Sequence, residues 1–171
     1  MSFKIEKYIR DIKDFPKPGI IFKDITPLLA DAKALQQTTQ ALLQIVPASI
    51  DKVVGIEARG FFFGTLLAEH LNAGFVPIRK PGKLPFKTYT ETYDLEYGTD
   101  SLSMHIDAIK PGEKVLIHDD VLATGGTAAA VAKLVEKAGG KVVMLNFLIE
   151  LSFLSGRDKL KAYKITSLLT F

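Results

Sequence analysis

The segment Val115-Leu116-Ile117-His118-Asp119-Asp120-Val121-Leu122-Ala123-Thr124-Gly125-Gly126-Thr127 constrains the fold of this chain more than any other stretch. An apolar run leads into two adjacent carboxylates, a Thr-Gly-Gly-Thr turn and the start of an alanine-rich helix. Such a run predicts a buried strand that turns tightly into a helix, the unit of parallel α/β sheets. Carboxylates at the carboxyl end of the strand stand where these sheets bind ligands. The small residues after them leave backbone N–H groups free to close on a phosphate at the helix N-terminus, where the dipole favours an anion. An acid pair for hydroxyl groups beside a phosphate cradle suits a sugar phosphate. The segment is not the P-loop of nucleotide triphosphatases, because no Gly-Lys-Ser/Thr follows, nor is it the Gly-x-Gly-x-x-Gly of dinucleotide folds.

The rest of the chain fits the same class. Ile5, Tyr8, Ile9 and Ile12 recur at helical spacing and predict a short amphipathic helix. Pro16, Pro18 and Gly19 stop it and lead into an extended piece from Ile20 to Ile25. Asp31 can cap a second helix with the apolar stripe Leu35, Thr38, Leu42 and Val46, ended near Pro47. Strands and helices then alternate: Val53 to Ile56, a helix from Phe61 to Leu71, Phe75 to Ile78, Val115 to His118, a helix from Thr127 to Ala138, and Val142 to Ile149. The alternation predicts a mostly parallel sheet covered on both faces, and 171 residues suit a single domain, 1–171. Residues 80–101 break the rhythm with two prolines, three tyrosines and two glycines and show no clear period. So long a connection is read as a functional lid, with Gly82 and Gly98 as hinges.

Composition excludes several classes of function. The chain has no cysteine, so disulfides, thiol catalysis and cysteine-ligated zinc are ruled out. No apolar run approaches the ~20 residues of a membrane span, and Met1 to Lys7 lacks a signal-peptide core, so a cytoplasmic protein is expected. The net charge of +3 suits a small anionic substrate; the absence of tryptophan and of any arginine-rich run argues against nucleic acid.

Several spaced motifs together carry a resemblance. They are the Val115–Thr127 segment, Phe15-Pro16-Lys17-Pro18-Gly19-Ile20-Ile21-Phe22-Lys23-Asp24-Ile25, Glu57-Ala58-Arg59-Gly60-Phe61 and Arg79-Lys80-Pro81-Gly82-Lys83-Leu84-Pro85. Leu95-Glu96-Tyr97-Gly98, Glu150-Leu151 and Gly156-Arg157 complete the set. In this order they resemble the adenine-using branch of the type I phosphoribosyltransferases, over nearly the whole chain. The resemblance implies a parallel core β-sheet flanked by helices, an N-terminal hood over the base (residues 1–30) and a long flexible lid loop (80–101). It implies transfer of the phosphoribosyl group of 5-phosphoribosyl pyrophosphate (PRPP) to adenine N9, giving AMP and pyrophosphate, with substrate-bound Mg²⁺ and a C2 homodimer.

The same resemblance implies roles for individual residues. Asp119 and Asp120 hold the ribose hydroxyls, directly or through the hydration shell of Mg²⁺, and their charge favours an oxocarbenium-like transition state. Ala123, Thr124, Gly125, Gly126 and Thr127 hold the 5′-phosphate. Arg59, Lys80 and Lys83 bind pyrophosphate, with Lys83 reaching toward a neighbouring subunit's site. A non-proline cis peptide is expected within Glu57–Arg59, although Ala58 stands where the family more often has serine. Phe22 stacks on adenine, backbone groups of Ile21 and Lys23 read the base edge, and Leu151 covers the other side. Lys23 replaces a frequent arginine. Glu96, with Tyr97 beside it in the lid, approaches the purine N7 as proton donor or acceptor. Taken singly, Phe22 would be a core aromatic, Glu96 an inert surface carboxylate and the lysines a solvated face.

His118 departs from the family's small aliphatic residue and is read as a hydrogen-bonded core histidine rather than a base. His105 is expected at a subunit interface and His70 on a helix surface; three scattered histidines make no metal site. Two other functions compete. One is a transferase for hypoxanthine, guanine or xanthine, since base choice rests on the hood. The other is a non-catalytic PRPP-sensing regulator, which would commonly carry a DNA-binding domain that is not expected here.

Overall fold

A computed structural model describes residues 4–94 and 98–171. Glu96 and Tyr97, and the start of the chain through Phe3, lie outside the described residues. The chain divides into two compact units, Met1–Gln44 and Ile45–Phe171.

In the first unit the amphipathic helix expected from Ile5 to Ile12 does not form. A single 3₁₀ turn, Ile5–Tyr8, gives way to strand β1, Arg10–Lys13. β1 pairs antiparallel with β2, Ile21–Asp24, and the ladder is closed by ion pairs Arg10–Asp24 at 2.7 Å and Lys23–Asp11 at 2.8 Å. Opposite charges on facing positions favour the hairpin, whereas so short a charged helix has little apolar surface to bury. Helix α1, Thr26–Ala30, precedes α2, Ala32–Gln44, whose first turn is capped as expected: the Ala34 N–H donates to Asp31 Oδ1 at 2.7 Å.

The second unit is built on a five-stranded parallel sheet in the order β4-β3-β7-β8-β9. Its strands are β3 (Lys52–Ile56), β4 (Gly74–Ile78), β7 (Lys114–Leu122), β8 (Lys141–Glu150) and β9 (Ile165–Thr170). Helix α3, Gly60–His70, links β3 to β4, and α4, Gly126–Lys137, links β7 to β8. Val131, Leu134 and Val135 of α4 pack with Val54, Ile117 and Phe147 of the sheet. Phe63 of α3 meets the ring of His118, which alternates with Ile117 along β7 and so lies on the opposite face. Both faces are therefore covered, as the alternation predicts.

Residues 80–101 hold more regular structure than their sequence suggests. Within the region read as periodless, β5 (Thr88–Asp94) pairs antiparallel with β6 (Thr99–His105) through seven residue pairs. Tyr89, Glu91 and Tyr93 point inward in strict alternation with exposed residues. A charged residue on the inward face hides that period from a hydrophobicity count.

Candidate functional site

The strand order reverses between β3 and β7: β3 leads outward to β4, while β7 leads the other way to β8 and β9. Pairing between β3 and β7 ends at Gly55–His118. Beyond that pair β3 gives way to Glu57-Ala58-Arg59-Gly60, which packs against Asp119 and Asp120, while β7 runs on to Leu122 and the turn into α4. These are the carboxyl ends of the strands, the general ligand position of open parallel sheets.

The two carboxylates divide their tasks. Asp119 lines a cavity of about 310 Å³, open to solvent, together with Ala123, Thr124, Gly125, Thr127 and Phe147. Asp120 is 3% exposed, and its Oδ2 meets Arg59 Nε at 2.9 Å. Burial pushes both carboxyls above the ordinary range; the charge of Asp120 adds to this at Asp119, while Arg59 opposes it at both. The pair is thus held in a medium where added positive charge would be strongly favoured. Gly60 is required here, because a Cβ would come within 2.9 Å of Asp119 Oδ1 and 3.0 Å of the His118 carbonyl.

The turn after β7 has the geometry of a cradle. Gly125 sits at φ +79°, and α4 starts from it with no side-chain cap, leaving first-turn N–H groups to face the cavity. Gly156 stands behind it: a Cβ on either glycine would collide with the other segment, at the Gly156 carbonyl or the Ala123 carbonyl. Gly156 is itself anchored by the Glu150–Arg157 pair, two hydrogen bonds of 2.7 Å each, with Ser167 Oγ donating a third at 2.7 Å. Arg157 and Ser167 outweigh desolvation and hold the Glu150 carboxyl below its usual range. Glu150, Gly156 and Arg157 belong to the spaced motifs of the sequence, which give no sign of this buttressing task, and Ser167 lies outside those motifs. Leu151 is tied to the same edge, its N–H donating to the Leu122 carbonyl at 2.9 Å.

The peptide Glu57–Ala58 is cis, as the motif predicts, and so is Phe15–Pro16. The basic cluster folds onto acids of the chain itself. Lys80 pairs with Asp100, while Lys83 Nζ reaches Glu57 at 2.6 Å and Arg79 Nη2 reaches it at 3.3 Å. Glu57 carried no role in the sequence reading, because its partners lie more than twenty residues away and only the β3–β4 pairing brings them together. In the first unit Phe22 is half-buried and meets the exposed Phe15 edge-on at 5.1 Å; Ile21 is exposed.

His118 is fully buried, with Nδ1 2.8 Å from Asn146 Oδ1, and the Asn146 amide donates to Thr166 Oγ1 at 3.1 Å. The row joins three neighbouring strands in register. Because the amide is engaged with Thr166, Nδ1 carries the proton toward Asn146. Burial lowers the His118 pKa from 6.5 to about 4, so the unfolded chain takes up the proton first as pH falls. Stability is therefore lost between pH 6.5 and 4, by about 3 kcal/mol from this group. His118→Val is expected to flatten that window in urea midpoints measured against pH; an unchanged slope refutes the assignment. His105 Nε2 accepts from the Phe86 N–H at 3.3 Å, and His70 lies on the surface of α3.

A buried acid pair beside an uncapped helix start suits a sugar phosphate, and comparison with known proteins agrees. The model of the phosphoribosyl transferase domain matches residues 24–167, and the chain belongs to that family. Within it, the chain is similar over nearly its whole length to adenine phosphoribosyltransferases. It is 62% identical to that of Christiangramia forsetii, covering 98% of this chain and 99% of the relative. The crystal structure of the Thermoanaerobacter pseudethanolicus enzyme superposes with a TM-score of 0.95 at 55% identity, covering 98% of each chain. The Saccharomyces cerevisiae enzyme, complexed with an imino-altritol bisphosphate and adenine, gives 0.90 at 40% identity, covering 96% of each.

Proposed function

We propose that this chain joins adenine to PRPP, forming AMP and releasing pyrophosphate. The carrying observation is the buried acid pair beside an uncapped helix start at the sheet's reversal point. Relatives above 60% identity that carry the adenine enzyme's name support the choice of base. The bond from the anomeric carbon to the diphosphate oxygen breaks, the bond to adenine N9 forms, and the N9 proton leaves. Asp119 and Asp120 favour the positive charge that develops on the ribose. Ala123, Thr124, Gly125, Gly126 and Thr127 hold the 5′-phosphate. Arg59, Lys80 and Lys83 take the charge of the leaving pyrophosphate. Ile21, Phe22, Lys23 and Leu151 receive the adenine, and Glu96, with Tyr97, handles the proton at N7.

Carboxylate oxygens are the hard donors that suit the hydration shell of Mg²⁺, so Asp119 and Asp120 fit an ion that arrives with PRPP. Such an ion would neutralise charge on the diphosphate. The chain acts as a homodimer in this reading, with residues 1–30 as hood and residues 80–101 as lid. No helix among the described residues is long and apolar enough to cross a membrane, and the reading is of a cytoplasmic enzyme.

Initial rates with adenine, hypoxanthine, guanine and xanthine, each saturating with Mg²⁺ and PRPP, test the base. Adenine is expected to be fastest; faster turnover of hypoxanthine overturns the reading, and no turnover of any base favours the PRPP sensor. Phe22→Ala is expected to raise KM for adenine about tenfold, as loss of one stacking face would, with KM for PRPP nearly unchanged. Equal changes in both KM values would remove the stacking role.

A further inference from the structure

Every acceptor position of the Glu57 carboxylate is in use. Oε1 accepts from Lys83 Nζ at 2.6 Å and Arg79 Nη2 at 3.3 Å; Oε2 accepts from the Lys80 backbone N–H at 2.9 Å and Arg79 Nε at 3.4 Å. Burial alone would raise this carboxyl, yet the contacts of Lys83, Lys80 and Arg79 hold it at about 2, so it stays charged throughout the working range. The partners are not equivalent. Arg79 and the Lys80 N–H continue from β4, whose pairing with β3 fixes them beside Glu57. Lys83 stands at the end of a turn through Gly82 at φ +80°, and its side chain is 48% exposed against 12% for Glu57. Glu57 can lose Lys83 and keep three hydrogen bonds. Lys83 can leave by rotating its own flexible stem.

We propose that Glu57 is a resident counter-anion for Lys83, exchanging it with the diphosphate group when that group is bound and recovering it when the group leaves. The proposal rests on the pyrophosphate role given to Lys83 above. A diphosphate carries more negative charge than one carboxylate, so Lys83 gains by the transfer. Glu57 then acts as a positioning residue that competes with the ligand. It keeps the ammonium in place in the free protein and limits how tightly pyrophosphate is retained. A purely structural Glu57 would instead hold the basic turn in shape, and its loss would weaken pyrophosphate.

Calorimetric titration with pyrophosphate and, separately, AMP separates these. Glu57→Gln is expected to tighten pyrophosphate about two- to tenfold, the range of a partly screened ion pair. Lys83→Met should weaken it, and Glu57→Gln added to Lys83→Met should tighten nothing further. AMP affinity should be unchanged in all three variants, which reports an intact cradle. Weaker pyrophosphate binding in Glu57→Gln, or tightening that persists without Lys83, overturns the proposal. If Glu57→Gln does not fold, Glu57→Asp replaces it: the shorter acid stays near the β4 donors and withdraws from Lys83, and absence of tightening there overturns the exchange. Failure of the wild-type protein to bind pyrophosphate at all would strike the function proposed above, a result distinct from any of these.

Discussion

Gly125→Val is expected to weaken AMP and PRPP together, by a factor of about 30 to several thousand in Kd. The backbone at Gly125 is left-handed, which costs an L residue roughly 1–2 kcal/mol, and more for a β-branched one. A Cβ would also collide with the Gly156 carbonyl, a backbone atom that cannot rotate away. Overpacking of this kind costs about 1–3 kcal/mol, and together the two correspond to the stated range. Relief comes only if the turn moves, and its N–H groups then no longer converge on one anion. Gly156→Ala provides an independent approach, since its Cβ would strike the Ala123 carbonyl from behind without altering any cradle residue. Titration calorimetry with both ligands checks the pair. Unchanged binding in Gly125→Val contradicts the cradle, and a loss confined to Gly125→Val contradicts the buttress.

Asp119→Asn should separate activity from stability. Turnover is expected to fall about 10²–10³-fold, the usual cost of removing one group aimed at developing transition-state charge. Stability at neutral pH should rise. Burial and the neighbouring charge of Asp120 push the Asp119 carboxyl well above its ordinary range. The folded protein therefore holds that proton more tightly than the unfolded chain, and stability from this group is lost as pH rises through the folded-state value. Asparagine carries no such loss. Its Oδ1 still accepts from the Asp120 N–H, a 2.9 Å bond in the wild type, so local geometry is retained. Thermal melts from about pH 4 to 8 should show the variant gaining on wild type as pH rises. A lower Tm at neutral pH refutes the strained acid pair, and unchanged turnover refutes its role in chemistry.

Particular residues explain what the sequence made legible. The acid pair, the glycine turn and the β7–α4 junction are consecutive in the chain, so their chemistry and geometry are written together. The cis Glu57–Ala58 bond and the buried His118 followed from motif and strand alternation. Contacts across the fold were not legible in this way. Glu57 gains its meaning from residues 79–83 through strand pairing, and Gly156 from a turn thirty residues earlier. β1 was hidden because Ile5, Tyr8, Ile9 and Ile12 imitate a helix whose charges instead pair across a hairpin. β5 was hidden by Glu91, an inward-facing residue whose partner is Lys133, at 3.4 Å.

The β5–β6 ladder alters what kind of mechanical part the lid proposed above can be. Seven paired positions, with Thr90–Ser103 and Thr92–Ser101 hydroxyls bonded across, make it a lever rather than a tether. Ordering a slack strand of chain would cost about 1–2 kcal/mol per residue at each closure. A paired hairpin has met that cost once, in folding; what it would give up in moving is the packing of Tyr89 and Tyr93 on the core and the Glu91–Lys133 ion pair. The same ladder restricts changes of length. A one-residue insertion at the start of β5 would, unless taken up as a bulge, turn Tyr89, Glu91 and Tyr93 outward.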